Sequence, residues 1–110
     1  MRLSDPLDVP LSKLTGYLLA PDHPDGRGKA LFFLGHGFSQ ADPARFADAL
    51  RAHARAHAVA SRAPSPFGER LVVDGPMPTP DGRQPRVRVV WFRDAGSDLV
   101  RLVTAYPLDR

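Results

Sequence analysis

From Glu69 onward the hydrophobic pattern changes its period, and that change restricts the chain to one kind of architecture. The stretches RLVVDG (70–75), PRVRVVWF (85–92) and LVRLVTAY (99–106) are rich in β-branched and aromatic residues. Turn signals separate them, PTPDGR (78–83) after the first and DAGSD (94–98) after the second, so they read as three antiparallel strands. In the middle strand Val87, Val89 and Trp91 share one face, and Arg86, Arg88, Val90 and Phe92 share the other. Strict alternation in the last strand groups Val100, Leu102, Thr104 and Tyr106 opposite Leu99, Arg101, Val103 and Ala105. Register then decides which of these faces coincide.

The earlier residues follow a helical logic instead. Residues 1–10 hold Pro6 and Pro10 and read as a lead-in. From Ser12, a candidate N-cap, Leu14, Tyr17 and Leu18 recur at helical spacing before Pro21, which predicts a short helix. Lys29–Leu34 is a second helix ended by Gly35, although so short an apolar run also fits a buried strand. Asp42 followed by Pro43 is a helix start, and the third helix runs to about Ala58 with Phe46, Leu50, His53 and His57 along one face. SRAPSPFG (61–68) reads as a connector. The expectation is an α+β fold in a single domain of 110 residues, two or three N-terminal helices packed on one side of a C-terminal antiparallel sheet. The helical part spans about 11–60 and the sheet about 69–107.

Composition narrows the chemistry. With no cysteine, disulfides, thiol catalysis and thiolate metal sites are excluded. No apolar run is long enough to cross a bilayer, and the first residues lack the apolar stretch of a signal peptide, so a soluble chain is expected. The formal charge of +3 favours polyanions. Only two lysines, Lys13 and Lys29, stand among the 15 basic residues, which makes Lys29 conspicuous.

Lys29 lies in HPDGRGKALFFLGHGF (23–38), the stretch that best combines reactive side chains, glycines and apolar residues. Pro24 biases His23 away from helical geometry, and Gly26 and Gly28 permit backbone conformations closed to other residues. Arg27 and Lys29 then flank a helix start whose unpaired N–H groups attract anions. A phosphate could meet both cations there, or the segment is an exposed, solvated turn. His53 and His57 are four apart, but Ala54 stands where an HExxH motif has its glutamate, so packing or solvation is expected rather than metal. If the loop folds over the sheet, His23, Arg27 and Lys29 join Arg86, Arg88, Arg101, Thr104 and Tyr106 in a ribonuclease inventory. Cleavage through the RNA 2′-hydroxyl needs a base, an acid and cations around the phosphorane, and no metal.

The segments KLTGYLLAPDHPDGRGKALFF, PFGERLVVDG and VRVVWF through RLVTAYP, covering most of the chain, resemble a small bacterial family catalogued as a domain of unknown function. That family is similar to the ribonuclease toxin fold of barnase, EndoU, colicin-type tRNases and RelE-like toxins (BECR). The resemblance nominates His23, Lys29, Thr104 and Tyr106 as catalytic, and Arg70 secondarily as an RNA contact beside Arg27, Arg86, Arg88 and Arg101. Glu69, the only glutamate, competes with His23 for the base if it points into the sheet cleft. The resemblance implies a metal-independent ribonuclease toxin without a cofactor, acting on tRNA or mRNA and restrained by a cognate antitoxin or immunity protein. It would work in the cytoplasm, or as a delivered effector if part of a larger toxin, with no membrane partner. The alternatives are a non-catalytic RNA-binding or protein-interaction module, and a structural phage or secretion-associated domain.

Overall fold

In the computed structural model, which describes residues 2–3 and 6–108, three short helical segments precede most of a five-stranded mixed sheet. Residues 1, 4, 5, 109 and 110, including part of the lead-in and the chain ends, lie outside the described residues. The elements are β1 (Leu7–Asp8), α1 (Leu11–Lys13) continuing as a π-turn (Leu14–Leu18), α2 (Arg27–Gly35), α3 (Pro43–Ala56), β2 (Val59–Ser65), β3 (Gly68–Pro76), β4 (Arg86–Asp94) and β5 (Val100–Pro107). Their order across the sheet is β1-β5-β4-β3-β2. The fold is α+β, as its hydrophobic periodicities require.

Strands β3, β4 and β5 form the expected antiparallel meander, with Val73 opposite Val89 and Val89 opposite Ala105. Two edge strands correct the sequence reading. The supposed connector is largely β2, paired antiparallel with β3 through Arg62 opposite Leu71 and Ser65 opposite Gly68. It is almost wholly exposed, so it lacks an apolar alternation, and Pro64 is tolerated because one side of an edge strand needs no ladder donor. Within the lead-in, Leu7 and Asp8 pair parallel with Val100 and Arg101. Arg51 of α3 fastens this bridge by donating from Nε to the Leu7 carbonyl at 3.0 Å.

The helices keep close to their expected places. Asp42 caps α3 by accepting from the Arg45 N–H, and Pro43 opens it. The helix ends at Ala56, before the expected Ala58. Phe46, Ala47, Leu50, His53 and Ala54 form its buried stripe. Phe33 of α2, Leu14, Leu18 and Trp91 share the same core. His53 is 1% exposed, and its Nε2 lies 3.1 Å from the Gly75 carbonyl and 3.0 Å from that of Val87. His57 Nε2 bonds the Pro76 carbonyl at 2.8 Å. Both rings therefore tie the helix end to backbone acceptors of the sheet.

The most consequential correction lies inside β5. The ladder passes from Trp91 opposite Leu102 directly to Val90 opposite Thr104, leaving Val103 as a bulge. Beyond the bulge the alternation inverts. Val100, Leu102 and Ala105 face the core, while Arg101, Thr104 and Tyr106 share the other face with Arg88, Val90 and Phe92. The grouping of Thr104 and Tyr106 with Leu102 is thus overturned, and both hydroxyls stand on the face that the helices leave uncovered.

Candidate active site at the bulged edge of the sheet

β1 covers only the first two residues of β5. Beside the remainder lies the π-turn, whose five-residue span carries Tyr17 to the strand. The chain then turns through residues 20–26 and starts α2, one turn of which places Lys29 over the same strand. Lys29 Nζ donates to Tyr17 Oη at 2.5 Å and to Thr104 Oγ1 at 3.1 Å, and the two hydroxyls are 3.4 Å apart. The ammonium lies 5.0 Å from the Tyr17 ring centre and 5.7 Å from that of Tyr106, so two aromatic faces also favour its charge. An open cleft of about 610 Å³ begins here, lined by Asp25, Gly28, Lys29, Tyr106 and Pro107.

Tyr17 is the participant that the sequence reading assigned only to a helical stripe. Burial pushes its phenol pKa up, but hydrogen bonds with Lys29 and Thr104 and the charges of Lys29 and Lys13 outweigh that, and the net shift is downward. Gly26 explains how the ring fits. A Cβ there would lie 2.8 Å from both the Tyr17 ring and the Tyr17 carbonyl oxygen. Gly26 has φ −105°, and neither it nor Gly28 is among the glycines with positive φ, so space rather than unusual backbone geometry is what Gly26 supplies.

His23 joins the cluster edge-on, its ring centre 5.0 Å from that of Tyr17. Its Nδ1 accepts the backbone N–H of Asp25 at 3.1 Å and of Gly26 at 3.2 Å. Those two donors place the ring proton on Nε2, the neutral form with a donor at its outer end. His23 thereby satisfies N–H groups at the approach to α2. Arg27 is exposed at the first residue of that helix, with Nη1 3.4 Å from the Pro21 carbonyl.

The remaining expected residues separate into two faces. Arg70, Arg86, Arg88 and Arg101 share the uncovered face with Thr104 and Tyr106. Arg88 forms a two-pronged pair with Asp74, 2.8 Å on each prong, and its pKa is raised by that bond and by Tyr106 beside it. Arg101 pairs with Asp94 at 3.1 Å and lies over the Phe92 ring. Arg70 and Arg86 are exposed. Glu69 is on the helix side of the sheet instead, bonded to Arg62 at 2.7 Å and near Arg93 at 3.8 Å. It does not enter the cleft with Lys29. Among the described residues there is no group of three histidine, cysteine, aspartate or glutamate side chains able to hold a metal ion, and no helix is long and apolar enough to cross a membrane.

Fold and site together define an α+β domain whose basic, uncovered sheet face ends in a lysine held by hydroxyls. More particularly, the chain belongs to the family described as a domain of unknown function, DUF6883, whose model matches residues 3–109. No curated protein and no solved structure matches the chain.

Proposed function

We propose that this domain is a metal-independent endoribonuclease of the toxin type, cleaving RNA through the substrate's own 2′-hydroxyl. One observation carries the reading: the Lys29 ammonium is held at the wall of an open cleft by two hydroxyls and two aromatic rings. Arg88 and Arg101, by contrast, are each paired with an aspartate. A lysine bonded to hydroxyls rather than to a carboxylate keeps its charge for an incoming phosphate.

In this mechanism the scissile phosphate sits against Lys29, and Thr104 and Tyr17 fix the direction of the ammonium. In its deprotonated form, which the hydrogen bonds and charge of Lys29 favour, Tyr17 takes the 2′-hydroxyl proton as the 2′-oxygen bonds to phosphorus. Lys29 stabilises the charge that builds on the phosphorane oxygens. The bond from phosphorus to the 5′-oxygen then breaks, and that oxygen takes a proton from the Tyr106 hydroxyl beside Arg88. The products are a 2′,3′-cyclic phosphate and a 5′-hydroxyl end. His23 acts here as an anchor of the loop, with Nε2–H as a donor. The uncovered arginines hold neighbouring phosphates, and an acidic antitoxin or immunity protein would restrain the enzyme by covering the same face.

Purified protein should cut RNA in excess EDTA, leave DNA intact and produce cyclic-phosphate ends. Lys29→Ala should lower cleavage about 10²–10³-fold, the usual cost of removing one charge-stabilising donor, while the thermal midpoint stays close to wild type. RNA left whole by inhibitor-free protein across neutral and alkaline pH would refute the assignment. Salt-sensitive RNA binding without cleavage would instead identify a non-catalytic RNA-binding module.

A further inference from the structure

The two lysines of this chain converge on adjacent residues of one strand. Lys29 bonds the Thr104 hydroxyl at 3.1 Å, and Lys13 Nζ donates to the Val103 carbonyl at 3.0 Å across 90 residues of sequence. Val103 is the bulged residue, without a partner in the β4–β5 ladder. We propose that Lys13 is a positioning residue of the candidate site, clamping the bulge that turns Thr104 and Tyr106 onto the uncovered face.

The geometry argues for this in three steps. A bulge places one residue outside the regular pairing, and its carbonyl needs another donor or water. Lys13 ends the α1 turn and Tyr17 follows within the π-turn, so a single helical stretch meets both sides of the inversion. One contact fastens the Val103 backbone, and the other joins Tyr17 to the Thr104 hydroxyl. Without the clamp, the bulge is free to relax toward regular alternation, which would draw Thr104 toward the core side and away from Lys29. Lys13 also adds positive charge near Tyr17, whose other neighbours are Lys29 and His23 from the α2 side and Thr104 from β5.

The consequence for catalysis rests on the ribonuclease reading, but the clamp itself is measurable without RNA. In a Tyr106→Phe background Tyr17 is the only phenol, and its ionisation can be followed by ultraviolet absorbance. Lys13→Met, which keeps the stem but loses donor and charge, should raise the Tyr17 midpoint. It should also shift the backbone amide resonances of residues 102–106 and speed their hydrogen exchange. Lys13→Gln, which retains an N–H donor, should leave those amides near wild type while still raising the midpoint, and it decides the question if Lys13→Met fails to fold. With the Tyr106 background removed, kcat for RNA should fall about tenfold in Lys13→Met with KM little changed, and the pH profile should move with the Tyr17 midpoint. Folded variants with unchanged Tyr17 ionisation and unchanged β5 amides would overturn the clamp. Altered ionisation and amides in a protein that cuts no RNA would uphold the clamp and refute the ribonuclease assignment alone.

Discussion

The two faces of this sheet are made from the same strands yet do opposite physical work. The covered face is a dry core in which Trp91, Leu71, Val73, Val87, Val89 and Leu102 meet the helices, and its buried histidine bonds backbone carbonyls. The uncovered face carries hydroxyls, arginines and aspartates, with Lys29 arching over its edge. Val72 and Val90 are buried on it all the same. The comparison teaches that stability and candidate chemistry are divided by side-chain parity. A change on one face should move one property and spare the other.

The largest expected effect comes from breaking the covered face. Trp91 is fully buried, so Trp91→Ala should cost about 3–5 kcal/mol of folding stability, the usual loss for truncating a core aromatic. Chemical denaturation measures it. A small loss would show that the covered face is not the stability core.

A second, smaller effect distinguishes the faces by pH. Burial holds the His53 pKa below its ordinary value, overcoming the Gly75 and Val87 carbonyls that act in the opposite direction. As pH falls below about 6.5, the unfolded chain binds the proton first. Stability should therefore decline from there down to the folded-state pKa and be fully present above that window. His53→Gln should flatten this part of the stability–pH curve without altering RNA binding at neutral pH.

The smallest effect sharpens the comparison from the uncovered side. The Arg88 hydrogen bond, ahead of the opposing effect of burial, lowers the Asp74 pKa. The pair's stabilisation is therefore present above the ordinary carboxylate range and lost as pH falls through the depressed value. Because the pair is part exposed, Asp74→Asn should cost less than about 1 kcal/mol. It should also release Arg88 for phosphate contact, so RNA affinity should rise and its salt dependence steepen by up to about one phosphate equivalent. Unchanged salt dependence would remove Arg88 from the RNA-contacting surface.

Much of this architecture was legible from local pattern alone. The period change near Glu69, the Asp42–Pro43 helix start and the two turn signals define which segments are helices and which form the meander, because those preferences act over a few residues. Lys29, Thr104 and Tyr106 could likewise be singled out by chemistry. Tertiary structure decided the rest. β1 and β2 exist by pairing rather than by a buried stripe, so their own residues carry little signal. Gly26 is explained only by the Tyr17 ring against it. The Val103 bulge depends on partners 90 residues away and on the neighbouring strand, and it reverses the face of every residue beyond it. Alternation is a property of one strand, whereas register belongs to a pair, and that is why the sequence could name Thr104 and Tyr106, but not Tyr17, and the fold alone could turn Thr104 toward Lys29.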